Sequence, residues 1–324
     1  MNIAKRFQLA AFLLICSAAV FAEQTGSFTK TLTVNGQPDA EIQTGSGNIV
    51  VHTGNGNTVV VNARITASDM WFSSGPSAQE KIKRIEQNPP VVQSGNLITI
   101  GRINESDLRS NVSISYDVTL PANSRLRTES GSGDVTVDGV NGPVKMNSGS
   151  GNATARNLGD ELRVGTGSGD IHIDHVKGPV RVNAGSGTVD ATGVGGAFYA
   201  ETGSGDITLH QEASGTVMAR TGSGNVRLHN LKGGLEAHTG SGDVEADGEA
   251  RNDWNVQTGS GSIDLKLPAK AAFTVDARSS SGSIEVNHPI TVQGVQKRNQ
   301  LQGKVGEGGP LLHLQSGSGE IRVD

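Results

Sequence analysis

Aspartate recurs beside glycine at Asp134, Asp170, Asp206 and Asp243, and Gly-rich Asp repeats are one way to surround calcium with carboxylate oxygens. A calcium-binding β-roll repeats G-G-x-G-x-D-x-h-x, and half-units of nine residues align here, Gly133, Val135 and Val137 matching Gly142, Val144 and Met146. With Gly133 on the fourth position of that motif, the ligand position is Val135. Asp134 falls one residue earlier, and one residue along a strand is the opposite face. Calcium needs about six to eight converging oxygens, so the register argues against a repeated calcium site.

Polysaccharide cleavage would need paired carboxylates, or a base beside metal-binding acids, with aromatic platforms for sugar rings. The expected outward strand positions offer Tyr199 as their ring, and the acids Asp190, Glu236, Glu245, Asp264 and Glu285. Each of these acids lies among ordinary solvated positions. His172 and His175 are three residues apart, and the other histidines, His52, His210, His229, His238, His288 and His313, are dispersed. The serines sit in Gly-Ser-Gly and lack the G-x-S-x-G elbow of a nucleophile. No catalytic, cofactor or metal site is therefore expected, the alternative being a carbohydrate-active β-helix lyase or hydrolase.

One set of residues stands apart. Arg127, Lys145, Arg163 and Arg181 follow one another at steps of 18 residues, each shortly before a Gly-Ser-Gly. If one unit makes one coil, the four form a basic ladder about 14 Å long. Such a ladder would bind an acidic polysaccharide, lipid headgroups or an acidic partner; the plainer account is a row of solvated cations screened by salt.

The elements that would position these residues come from the repeat. Gly-Ser-Gly has its first glycine at 131, 149, 167, 185, 203, 222, 240 and 259, a period that marks a solenoid. Outlying copies occur at Gly45–Gly47 and Gly317–Gly319, with a degenerate Ser280-Ser281-Gly282. Between the turns the pattern has period two, as in Val135-Thr136-Val137 and Val144-Lys145-Met146, the signature of strands with one buried face. A fifth apolar position recurs at Val140, Leu158, Val176, Val194 and Leu231. A single unit cannot bury this stripe alone, but stacked units can. The glycines are expected to supply left-handed turn backbone. Asp134, Asn152, Asp170, Thr188, Asp206 and Asn225 beside them are expected to hydrogen-bond the local backbone.

Composition agrees with a narrow interior. The 324 residues include 45 Gly but only seven Phe, two Tyr and two Trp, and large rings supply much of a thick core. The N-terminus reads as a secretory signal: Lys5 and Arg6, an apolar run from Phe7 to Val20, and Val20-Phe21-Ala22 before Glu23. Lipoprotein anchoring at Cys16 is disfavoured, because Ile15 stands where a small residue is expected. Cleavage after Ala22 removes the single cysteine and both leader cations, changing the formal charge of −5 to −7. A mildly acidic exported chain is a poor nucleic acid binder.

The fold expected is all-β: a β-solenoid of 18-residue Gly-Ser-Gly repeats, roughly 12 coils, with one short helical excursion near the N-terminus. Its expected divisions are a signal peptide (1–22), an N-terminal β region (23–130) with a helical insertion near 77–88, regular repeats (131–267) and irregular repeats completing the solenoid (268–324). The helix follows from the capping-box pattern Ser77-Ala78-Gln79-Glu80 and the stop at Pro89-Pro90. Longer strands are expected at Thr58–Thr66, Leu97–Gly101 and Val112–Leu120, and a long loop from Asn287 to Pro310. No transmembrane helix is expected in the mature chain.

The TGSGD-hydrophobic-x-hydrophobic repeats, the segment Tyr116-Asp117-Val118-Thr119-Leu120-Pro121-Ala122-Asn123 and the ending Gly303 to Val323 together resemble a bacterial family. It is the β-strand-repeat domain of unknown function labelled "putative adhesin". The resemblance covers nearly all of the mature chain. It implies an exported or envelope-associated β-solenoid, and it carries no catalytic motif onto these residues. The function expected of the chain is non-catalytic binding or spacing at the cell envelope, in the periplasm or at the cell surface, with envelope or surface polysaccharide or protein as partner.

Overall fold

The structure, a computed structural model, describes residues 23–69, 75–292 and 297–324. The expected leader with Cys16, and the rings Trp71 and Phe72, lie outside them. From Arg125 onward each repeat lays down one strand before its Gly-Ser-Gly and one after. The strands before it, Arg125–Ser130, Val144–Ser148, Leu162–Thr166, Val180–Ala184, Phe198–Thr202 and Val217–Ser223, pair in parallel, each with the equivalent strand of the next unit. The strands after it, Val135–Asp138, Ala153–Leu158, Ile171–Val176, Val189–Val194 and Ile207–Gln211, form a second parallel ladder. Val226–Ser241 and Val244–Ser260 run continuously from one ladder to the other.

The alternation read from the sequence places the core between these ladders. Leu126, Val144, Leu162, Val180, Phe198, Val217, Leu235 and Trp254 form one buried column, with Val137, Ala155, Ile173, Ala191, Leu209 and Leu228 among those facing it. The fifth column, Val140, Leu158, Val176, Val194 and Leu231, is buried as well. Each such aliphatic side chain contributes roughly 1.5–3 kcal/mol by leaving water, and that gain exists only when neighbouring rungs are present.

The Gly-Ser-Gly glycines serve a different purpose from the one expected. Apart from Gly242, they are absent from the positive-φ residues. They are required by closeness: a Cβ on Gly133 would lie 2.0 Å from the Gly47 carbonyl oxygen, on Gly151 2.2 Å from that of Gly133, and on Gly169 2.1 Å from that of Gly151. Left-handed backbone occurs instead in the second turn, at Gly139, Asn157, His175, Gly193 and Asn230.

Two side-chain ladders stitch the glycine edge. Ser148 Oγ donates to the Gly133 carbonyl at 3.1 Å and accepts the Gly151 N–H at 2.9 Å; Thr166 repeats this one rung on, with Gly151 and Gly169. The second ladder corrects the expectation of purely local bonds. The N–H of Asn152 donates to Asp134 Oδ1, that of Asp170 to Asn152 Oδ1 and that of Thr188 to Asp170 Oδ1, each bond reaching the neighbouring rung.

Both ends depart from sequential stacking. The rung formed by Asp39–Thr44 and Ile49–Gly54 lies between Arg125–Ser130 with Val135–Asp138 on one side and Leu97–Ile100 with Val112–Pro121 on the other. Likewise Leu311–Ser316 and Ile321–Val323 insert between the rung at 254–266 and the rung made by Phe273–Ser279 and Ile284–Val286. The expected long loop at 287–310 instead contains Ile290–Val292 and Gln300–Val305, the latter antiparallel to Phe273–Ser279. At the other end Gln24–Thr33, Thr58–Ala67 and Val112–Pro121 form antiparallel pairs.

The helix α1, Ala78–Gln87, covers this N-terminal end with Ala78, Ile82 and Ile85 buried, and Ser77 caps it by accepting the Glu80 N–H. Gly26 makes its seat possible, since a Cβ there would lie 2.3 Å from Ile82.

Candidate functional site

Arg127, Lys145, Arg163 and Arg181 stand directly beside one another on the outer face of the first ladder, in unbroken register. All four are exposed, because their buried neighbours in the alternation point to the core. The next residue in register after Arg181 is Tyr199, and the Arg181 guanidinium lies 5.1 Å from the centre of its ring. The residue in register before Arg127 is Glu41, which pairs with Arg102 at 3.6 Å. A parallel row two residues further along each strand reads Glu129, Asn147, Gly165, Asn183 and Glu201. Amides at Asn147 and Asn183 thus flank the middle of the row and carboxylates at Glu129 and Glu201 its ends, and a Cβ on Gly165 would lie 3.2 Å from Asn147 Oδ1.

Electrostatics separate this row from the rest of the surface. Like charges directly opposite one another destabilise a sheet, by roughly 1 kcal/mol or less per exposed pair in water. Arg163 pairs with Glu161 at 2.6 Å, whereas Arg127, Lys145 and Arg181 form no ion pair among the described residues. On the second ladder three cations are paired: Arg227 with Asp206 at 3.1 Å, Lys266 with Glu245 at 3.0 Å, and Arg322 with Glu285 at 3.6 Å. The Glu245 hydrogen bond and charge raise the Lys266 pKa, and the Asn225 backbone N–H, with Arg227, holds the Asp206 carboxyl below its usual range.

The outward acids are distributed among such pairs and do not converge. Glu236 pairs with Arg220, Glu245 and Glu285 are paired as above, and Asp190 lies between His172 and Thr208 in register. His175 sits in the left-handed turn, 2.6 Å from Asp174. His210 and His229 stack with ring centres 4.6 Å apart, and His229 Nδ1 lies 2.6 Å from Asp247. Among the described residues no group of three or more His, Cys, Asp or Glu is placed to hold a metal ion.

Sequence reading found the cations but left Tyr199 and the Asn147–Gly165–Asn183 row unconnected to them. The signal was present, since both continue the 18-residue step. The Ser/Thr column before the Gly-Ser-Gly copies, broken at Ala184, is also readable at Ser130, Ser148, Thr166, Thr202, Thr221, Thr239 and Thr258.

Fold and face together define a two-ladder β-solenoid with a row of four adjacent cations, three of them without an ion-pair partner among the described residues. The sequence matches the family described as Toastrack DUF4097 over residues 31–212 and again over 118–324, and the chain belongs to that family. It is similar to two solved structures. One is a "putative cell adhesion protein" from Clostridium sporogenes, 14% identical, covering 93% of this chain and 99% of that chain with a TM-score of 0.24. The other is a "putative adhesin" from Bacteroides fragilis, 14% identical, covering 92% of this chain and 97% of that chain with a TM-score of 0.34. No curated protein matches the sequence. Among the described residues no helix is long and apolar enough to cross a membrane.

Proposed function

We propose that this chain is an exported, non-catalytic binding protein of the cell envelope, which holds an extended anionic polymer such as an acidic polysaccharide along its cationic face. The supporting observation is the in-register row Arg127, Lys145, Arg163 and Arg181, three of whose members have no ion-pair partner among the described residues, followed by Tyr199. A flat row of cations spaced by about 4.8 Å offers a linear polyanion several weak contacts at once, and linked contacts reinforce one another. Tyr199 adds a ring against which an apolar sugar face can lie. Export follows from the secretory pattern in residues 1–22.

Retention on isolated bacterial envelope and on immobilised acidic polysaccharide tests this reading. The protein is expected to bind at low salt and to elute as ionic strength rises. Replacing all four cations with Gln is expected to abolish retention while leaving the circular dichroism spectrum intact. Equal retention of the folded quadruple variant would refute the proposal.

A further inference from the structure

The N-terminal end holds a cleft whose origin lies in a missing turn. Each regular rung joins its two strands by Gly-Ser-Gly, and the preceding rung packs against that turn: a Cβ on Gly131 would lie 2.2 Å from the Gly45 carbonyl oxygen. Gly45 itself has nothing within 4 Å of the equivalent position. The rung beyond it joins Leu97–Ile100 to Val112–Pro121 by residues 101–111, which include the short helix α2, Ser106–Arg109. This longer connection stands away from the glycine edge and leaves a cleft of about 670 Å³.

The lining is not that of an ordinary surface dent. Leu108, Ile114 and Tyr116 are buried and give it an apolar wall, with Ile103 and Val112 beside them. Arg102 and Arg109, both exposed, contribute cations, and Arg109 forms no ion pair among the described residues. Glu129 is an acid on the wall, and Arg102 is held at 3.6 Å by Glu41. Tyr116 is 2% exposed, and its hydroxyl is buried with no hydrogen-bond partner.

We infer that this cleft is a binding site for a small organic monoanion with a compact apolar body. The anionic group is met by Arg102 and Arg109 through charge-assisted hydrogen bonds, and the apolar body packs on Leu108, Ile114 and the Tyr116 ring. The site adjoins the N-terminal end of the cationic row, sharing Glu129 with its flank, and its volume suits a molecule of one or two rings.

Titration calorimetry of the full mature chain with 2-naphthoate, and with neutral 2-naphthamide as control, tests the inference. Saturable binding of one naphthoate is expected, at least tenfold tighter than the amide. Arg102→Gln with Arg109→Gln is expected to remove most of this preference. Tyr116→Phe is expected to leave naphthoate affinity unchanged and the melting temperature unchanged or higher, since it deletes an unpaired hydroxyl buried behind the cleft wall. No saturable binding by the folded protein, equal binding of acid and amide, or undiminished binding by the double variant would each overturn the site.

Discussion

Thr166 shows how one side chain secures two rungs. Its hydroxyl donates to the Gly151 carbonyl and accepts the Gly169 N–H, so Thr166→Val leaves two groups unpaired inside the glycine edge. A loss of about 1–3 kcal/mol is expected, with Thr166→Ser close to wild type, as measured by urea denaturation. Ala184 occupies the same column between Thr166 and Thr202 but has no hydroxyl. Ala184→Thr should therefore stabilise the protein by about 0.5–1.5 kcal/mol; a loss of stability would show that the column cannot accept the extra atoms. Asp206 adds a pH dependence. Its folded pKa is lowered by the Asn225 N–H and Arg227 against the opposing effect of burial, so its stabilising contribution is present above the unfolded carboxylate value of about 3.9. That contribution is lost as pH falls through the lower folded value. Asp206→Asn keeps an acceptor oxygen but not the charge, and should flatten the acid limb of the stability profile below about pH 4.

At the scale of elements, the regular rungs were legible because their register repeats every 18 residues and each residue faces its own equivalent. Even there, the reason for glycine was misread: a left-handed turn and a carbonyl 2 Å away demand the same residue, and the sequence does not distinguish them. The ends were less legible because their partners are not separated by one period. Trp254 pairs with Leu312, 58 residues away, and Thr274 to Ser279 pair with Leu311 to Ser316. Nothing in the local pattern announces that the final rung enters between two earlier ones. The cationic row was readable from spacing alone, whereas the cleft depends on how residues 101–111 stand off the glycine edge, which spacing does not encode. The inserted rung makes a distinct prediction. Truncation after Pro310 removes the layer between the 254–266 and 273–286 rungs, so hydrogen exchange should lose protection in 268–310 while rungs from 125 to 230 stay protected, as expected when coils contact only their neighbours. Uniform loss throughout the chain would contradict this order.

The whole molecule sets a row of four adjacent cations, three of them without an ion-pair partner among the described residues, against a second ladder on which Arg227, Lys266 and Arg322 are paired. This asymmetry is the basis of the proposed envelope function, since a polyanion gains more from cations that no carboxylate already holds. Arginine modification with phenylglyoxal, followed by mass spectrometry with and without bound acidic polysaccharide, reads that choice directly. Arg127, Arg163 and Arg181 are expected to become protected together while Arg227 and Arg322 remain as reactive as in the free protein. Protection of Arg227 and Arg322 instead, or no protection of the three ladder arginines under conditions where the polymer is bound, would contradict the assignment of function to this face.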